Sequence, residues 1–456
     1  MISTIGHLNT RHLILSINKK DNLSLLLVKG TGKSFFVKVI GTGILFGSQI
    51  ALTRMLGVEG YGNYVYVLAW INILAIIGKF GFDTSCLRYL PQYNSQEKWG
   101  LLKGFFRYSD TLHISVSVFI AVIAAVFIWI ISDVPLSQLS KTALYGCLLL
   151  PMIVHMQIRC AYLQAFKHMV LSQSPEFIIQ PVVLITTIFL IFKLNGNIVN
   201  APQAIWSNLI STTITIIVLY LFCKSVIPKC LKVCESEYRI SEWNKLGLTF
   251  LLLSGFQLLL MQTDIIMLGS YVSTKEAGLY AAAAKLVKLV TFGLFAINTV
   301  AVPIISQCYA LKQKTELQGI ITLAAKGGLL YALPVSLMMV VFGGKLLSLY
   351  GAAFMVGYIP LLILVGGRVI DSMTGLVGYL MMMTNHHKAA IKIFGSTVVL
   401  NIILNMLLIP GYGMKGAAIA TTLSMITWNF ISVIYVRRKL GINPTLISFL
   451  NCKEEL

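Results

Sequence analysis

Twelve apolar windows, each about 20 residues or longer and each closed by turn residues or charge, recur along this chain. They lie near 34–56, 63–84, 109–131, 142–163, 174–193, 203–223, 246–270, 278–304, 319–343, 357–384, 389–409 and 416–436. About 20 residues rising 1.5 Å each cross the hydrocarbon core of a bilayer, so the windows predict twelve spanning helices. Hydrocarbon offers no water to free N–H and C=O groups, which leaves helices and closed barrels as the only spanning structures. Composition agrees, since 57 % of the 456 residues are hydrophobic and 11 % charged, against roughly 25 % charged in soluble domains. A soluble enzyme is excluded, and the expected fold is an all-α polytopic membrane protein.

Charge distribution orients the spans. Lys+Arg number 36 against 16 Asp+Glu, a formal net charge of +20. In a soluble protein that excess suggests nucleic acid; here it follows membrane topology, and no nucleic-acid partner is expected. With the N-terminus inside, 23 lysines and arginines fall on the inner side and only Lys141, Lys193, Lys275, Lys345 and Lys415 on the other. The Lys/Arg loop rule then places both termini in the cytoplasm. Residues 1–33 carry Arg11, Lys19, Lys20 and Lys29 without a following cleavable apolar stretch, and read as a cytoplasmic tail. The polar stretch 224–245 divides the chain into an N-lobe (34–223) and a C-lobe (246–438), with 439–456 a second cytoplasmic tail.

The two lobes share a pattern. Arg54-Met-Leu-Gly57 is followed by Gly62-Asn-Tyr64, and Ile266-Met-Leu-Gly269 by Gly278-Leu-Tyr280, at offsets of 212 and 216 residues. Six spans is an even number, so the copies enter from the same side and form parallel repeats about an axis along the membrane normal. Two six-helix lobes facing each other across a central path are expected.

Eight cations (Lys38, Arg54, Lys79, Arg159, Lys285, Lys288, Lys326, Arg368) and four anions (Asp83, Asp110, Asp264, Asp371) fall within or at the ends of spans. Each costs about 2.5–3.5 kcal/mol near a span's centre, and such residues face a bundle interior or a water-filled cavity. Lys38, Lys79 and Lys326 lie near inner ends, where long side chains reach the interface. Lys288 and Arg368 sit near the midplane. Lys38, Thr42 and Gln49 share a face of the first span; Ser254, Gln257 and Asp264 occupy the corresponding region of the seventh. Facing stripes of this kind predict a hydrophilic cavity with excess positive charge. Bland alternatives stand beside this reading: Arg368 with Asp371, and Lys79 with Asp83, are spaced to pair within one helix. His155 with Arg159, and Asp110 with His113, read as structural, while Asn401 and Asn405 read as bonds to a neighbouring helix. Lys285 and Lys288 have no acid within one turn, and a bound anion is the leading account of them. Glycines in the first, ninth and tenth spans and Pro334 in the ninth permit close packing or bending.

Catalytic and metal chemistry find no footing. Eight cysteines are scattered, and although Cys230 and Cys234 are four apart, no other Cys or His in that loop completes a four-ligand set. Gly30-Thr-Gly-Lys-Ser34 is a fragment of a phosphate-binding loop with Leu27 where its first glycine belongs. No cofactor is expected, and no enzymatic activity.

With these pieces in place the chain resembles the polysaccharide and O-antigen flippases of the multidrug/oligosaccharidyl-lipid/polysaccharide exporter superfamily. The resembling residues are Leu52-Thr-Arg-Met-Leu-Gly-Val-Glu-Gly-Tyr-Gly-Asn-Tyr64 and Gly81-Phe-Asp-Thr-Ser-Cys-Leu-Arg-Tyr-Leu90. Leu346-Leu-Ser-Leu-Tyr-Gly351 with Ile359-Pro-Leu-Leu-Ile363, and Leu407-Leu-Ile-Pro-Gly-Tyr-Gly-Met-Lys-Gly-Ala-Ala-Ile-Ala420, extend it over residues 34 to 438. The resemblance implies twelve helices in two lobes around a V-shaped cavity. It implies transfer of an undecaprenyl-pyrophosphate-linked oligosaccharide across the bacterial inner membrane by alternating access, for O-antigen and lipopolysaccharide assembly. Membrane lipids surround the protein, and polysaccharide polymerase or other assembly proteins are possible partners. Cationic lumen residues would engage the pyrophosphate or acidic sugars, a role that falls to Lys38, Lys79, Lys285, Lys288 and Arg368, with Gln49 and Gln257 as further substrate contacts. Asp264 is the candidate for coupling to H⁺ or Na⁺. The rivals are a cation-coupled multidrug exporter of the same superfamily, which would favour an acidic lumen, and a membrane-embedded glycosyltransferase or polymerase, which would need long outer loops.

Overall fold

The computed structural model describes the backbone of residues 6–445 other than 133, 197, 228–233, 312 and 385. Side chains are described from residue 36 onward within that set, except at 295, 296, 298–300, 303, 306, 307, 310 and 387. The described chain is helical throughout: α1 (Gly6–Lys79), α2 (Phe82–Ser95), α3 (Trp99–Ile131), α4 (Gln138–Ala165), α5 (Met169–Ser174), a π-turn (Pro175–Ile179), α6 (Gln180–Leu194) and α7 (Ala201–Val226). The second half holds α8 (Ile240–Tyr271), α9 (Thr274–Ala310), α10 (Lys314–Ser348), a 3₁₀ turn (Ala352–Gly357), α11 (Tyr358–Thr374), α12 (Val377–Met383) and α13 (His387–Leu440).

Ten described helical segments are long and apolar enough to cross a membrane. Two of them, Phe36–Ser95 with 60 residues and Lys388–Leu440 with 53, are far longer than one crossing needs. Each reverses direction at a glycine. In α1 the Tyr61 hydroxyl donates to Gln49 Oε1 at 3.0 Å, although a straight helix would hold residues twelve apart at about 18 Å. In α13, Asn401 Nδ2 donates to Thr421 Oγ1 at 3.3 Å across 20 residues. The hinges are Gly57 (φ 66°, ψ −176°) and Gly413 (φ 52°, ψ −131°), backbone conformations that side chains strongly disfavour. Counting both hairpins restores the twelve crossings expected from the apolar windows.

Three connections differ from the sequence expectation. The polar-looking stretch 85–108 is mostly helix, because α2 has an amphipathic period that buries Phe82, Cys86, Leu90 and Tyr93 against Phe105, Tyr162 and Trp243. The Trp243 indole also donates to the Tyr93 hydroxyl at 2.9 Å. Gly375 (φ 65°) breaks the window 357–384 into α11 and α12. The window 174–193 opens with the π-turn. Cys230 of the Cys230/Cys234 pair lies outside the described residues.

In the first half, α4 is central and packs on α7, α3 and α1; in the second, α9 packs on α10 and α13 on α11 and α8. The halves meet where α1 packs along α8 and α9. Gly62 and Gly278, equivalent positions of the repeat, touch each other there. A Cβ on Gly62 would lie 2.2 Å from the Thr274 carbonyl oxygen, and one on Gly278 would lie 2.7 Å from the Gly62 Cα. Equivalent residues of two copies touch only beside the axis relating them, so this contact marks the pseudo-twofold between two six-helix lobes.

The end of the bundle carrying the Gly57 and Gly413 hinges is here called the turn end, and the end carrying the 227–239 connection the linker end. Gly57→Ala is expected to lower stability by about 1–3 kcal/mol, the cost of holding a side chain in this backbone region, read as an earlier thermal transition in detergent.

Candidate functional site

At the turn end the lobes are sealed. The Thr274 hydroxyl donates to Asn63 Oδ1 at 2.7 Å, and the Tyr66 and Ser270 hydroxyls share a hydrogen bond of 2.9 Å. Arg54 Nε donates to the Leu349 carbonyl at 2.7 Å, and the Phe46 ring meets Tyr350 edge-on at 5.7 Å. Toward the linker end the first arm of α1 departs from the other lobe. Gly41 presses on Phe177 of its own lobe, while a Cβ on Gly43 would meet nothing within 4 Å. The second arm stays against α8 as far as Gly81, whose Cβ would lie 2.1 Å from the Gly247 carbonyl oxygen.

On this seam sits a group of cations. Lys285, on α9, donates to Gln49 Oε1 at 2.5 Å and to the Tyr61 hydroxyl at 3.1 Å, with its ammonium 5.5 Å from the Tyr61 ring centre. These bonds bridge the lobes through neutral partners. One turn on, Lys288 lies close enough to Lys285 and Arg368 for the charges to repel, and its side chain is exposed. Among the described residues neither lysine pairs with a carboxylate within 4 Å. Arg368 lies 3.5 Å from Asp371, whose other oxygen is held by Asn429 Nδ2 at 2.9 Å, so here the pairing alternative is realised. Three positive groups thus face one region with a single acid beside them.

Lys38 and Lys79 belong to a different place. Lys79 pairs with Asp83 at 2.9 Å, and Glu176 carries its charge near both lysines. Together they line a cavity of about 340 Å³ in the N-terminal lobe with α4 and α5. Gln257 is exposed on α8 and joins neither group.

Asp264 does not line the seam. Its carboxylate is 3 % exposed and turned into the C-terminal lobe. It accepts from the Tyr280 hydroxyl at 2.5 Å, the Thr421 hydroxyl at 2.5 Å and Asn405 Nδ2 at 2.8 Å. Asn405 also donates to Asn401 Oδ1 at 3.1 Å, and its own Oδ1 is buried without a hydrogen-bond partner. The expected bonding of Asn401 and Asn405 across helices is therefore present, but around an acid. Sequence reasoning missed Tyr61, Tyr280 and Thr421 as partners, since their hydroxyls reach Gln49 and Asp264 only once separate helical arms pack together. In the N-terminal lobe Arg159 pairs with Asp110 at 2.8 Å and His113 Nε2 meets His155 Nδ1 at 3.0 Å, a lattice tying α3 to α4.

Residues 27–309 match the family model described as polysaccharide biosynthesis protein. Over 162 residues the chain is 25 % identical to a protein of Haloferax volcanii named "Probable low-salt glycan biosynthesis flippase Agl15", covering 35 % of this chain and 34 % of that protein. The match thus spans about a third of the relative's length. In fold, the chain is similar to an inward-facing multidrug resistance MATE family transporter of the MOP superfamily, with TM-score 0.71, 12 % identity, and coverage of 89 % of this chain and 98 % of the other. It is likewise similar to the lipid II flippase MurJ in an inward closed conformation, with TM-score 0.65, 15 % identity, and coverage of 90 % and 87 %. The likeness to these two transporters is one of fold.

Thr421→Val removes one of three donors to Asp264 and is expected to destabilise the C-terminal lobe by about 1–3 kcal/mol, measured by thermal unfolding of the purified protein.

Proposed function

From the premise that the chain belongs to the polysaccharide biosynthesis protein family, we propose that it is a flippase carrying a lipid-linked oligosaccharide across the membrane by alternating access. The observation that carries this reading is the group of Lys285, Lys288 and Arg368 on the lobe seam, with only Asp371 among the described residues to offset it. Ammonium groups held in low dielectric without a counter-charge are costly, and a diphosphate brought among them offsets that cost while losing its own water. The apolar carrier stays in lipid beside the departing arm of α1.

Binding and movement are coupled through Lys285. Its hydrogen bonds to Gln49 and Tyr61 join α9 to α1, so turning the ammonium toward a phosphate exchanges a bond across the seam for one to the substrate. In this reading the lobes are residues 34–223 and 246–438 joined by the linker 224–245. The Lys/Arg-rich linker end, with both termini, faces the cytoplasm. The sealed turn end then faces the outer side. The carrier is undecaprenyl pyrophosphate and the membrane the bacterial inner membrane, with the glycan destined for surface polysaccharide such as O-antigen.

Asp264 is the coupling group. Asn405 Oδ1, without a partner, lies beside a carboxylate that shares Thr421 and Asn401, a set of oxygens suited to H⁺ or Na⁺. Occupancy there would alter the packing of α13 against α8, which itself packs on α1 across the seam. An exporter of organic cations would need the opposite sign of charge in the cavity.

The double variant Lys285→Gln/Lys288→Gln is expected to remain in the membrane and to reduce flipping of lipid-linked oligosaccharide in proteoliposomes to background; wild-type flipping refutes the assignment. Asp264→Asn is expected to leave substrate binding intact and to abolish the response of transport to an imposed ion gradient. An unchanged gradient dependence removes Asp264 from the mechanism.

A further inference from the structure

The cavity of the N-terminal lobe differs from the seam in every property that decides what it can hold. Its charges cancel: Lys38 and Lys79 are matched by Asp83 and Glu176, with Lys79 bonded to Asp83 at 2.9 Å and Glu176 within reach of both lysine charges. A diphosphate entering it would meet two carboxylates as well as two ammonium groups. Gln157 and Gln164 stand two turns apart on one face of α4 and both line the cavity. Among the described residues neither side chain makes a hydrogen bond, so each amide offers a donor and an acceptor. Gln173 of α5 also lines the cavity.

The backbone is shaped around this space. The wide turn Pro175–Ile179 replaces regular α-helix where Glu176 enters the wall, a departure frequent at functional sites. Gly41 lets the turn approach, since a Cβ there would lie 2.5 Å from Phe177 Cβ. The Glu176 side chain is exposed at the cavity wall. At about 340 Å³ the cavity falls within the roughly 300–1,000 Å³ typical of small-ligand sites.

We infer that this cavity is a subsite for an uncharged sugar of the glycan, recognised by hydroxyl hydrogen bonds to the amides of Gln157 and Gln164 and to the Glu176 carboxylate. The inference rests on the flippase reading and divides its substrate between two places. Lys38 precedes Gln49, the partner of Lys285, by eleven residues, or about 16 Å along α1. One diphosphate does not bridge that distance; a glycan extending from it does. The cationic seam takes the diphosphate, and the neutral cavity takes a sugar further along the chain.

The test uses the full-length protein in nanodiscs and two probes, a bare polyprenyl diphosphate and the same carrier bearing a short neutral oligosaccharide. Wild type is expected to bind the glycosylated lipid about tenfold more tightly. Gln157→Ala and Gln164→Ala, each alone, should bring that affinity down to the level of the bare lipid and leave bare-lipid binding unchanged. Bare-lipid binding also reports that each variant is folded, and the milder Gln164→Asn, which keeps the amide, should retain part of the preference. Equal wild-type affinity for the two lipids, equal weakening of both by the variants, or no change in either overturns the subsite while the flippase reading stands. A Glu176→Gln variant that loses transport with its sugar preference intact makes Glu176 a proton site and overturns its assignment here. Wild type binding neither lipid overturns both readings together.

Discussion

An ionisable group carried into hydrocarbon has to be paired, hydrogen-bonded or hydrated, and each buried charge of this protein shows which of these it has. Arg159 with Asp110 and Lys79 with Asp83 form ion pairs inside the first lobe. Asp264 is enclosed by three neutral donors in the second. Lys285 leans on an amide oxygen, a hydroxyl and a ring, and Lys288 is exposed. Among the described residues neither lysine has a carboxylate within 4 Å, and both lie on α9, which packs along α1 of the other lobe.

The seam combines small residues and hydroxyls with apolar contacts such as Phe46 on Tyr350 and Tyr61 on Phe354. Gly62 and Gly278 bring backbones together at the pseudo-twofold, and Asn63, Thr274, Tyr66 and Ser270 add hydrogen bonds around them. In a membrane, helix association draws little from burial because lipid is as apolar as the helix surface; close packing and polar bonds supply it instead. Toward the linker end, Trp243 of α8 interlocks with Phe105 and Tyr162 of the first lobe, so apolar packing joins the halves there as well.

The sequence made the crossings and the duplication legible because both are one-dimensional signals. Apolar length counts spans, and the Met-Leu-Gly and Gly-x-Tyr words repeat at nearly one offset. The midplane lysines were visible for the same reason, as charges without an acid one turn away. Less visible was α2, whose buried face is diluted by charge, and the break at Gly375, where the residue is one small glycine among several.

Partnership across the fold was beyond the sequence. Seven candidate substrate residues looked alike as polar or cationic groups in spans, yet the structure sends Lys38 and Lys79 to a charge-balanced cavity and Lys285, Lys288, Arg368 and Gln49 to the seam, and leaves Gln257 apart. Asp264 looked like a group lining the cavity and instead closes a network with residues more than a hundred positions away. Sequence alone determined that this chain crosses a membrane twelve times as two related halves with excess positive charge, since length, repetition and composition survive without folding. Tertiary structure alone decided which charges find a partner and which do not, because a counter-charge or donor acts by distance in space, and turns such as those at Gly57 and Gly413 bring distant residues together.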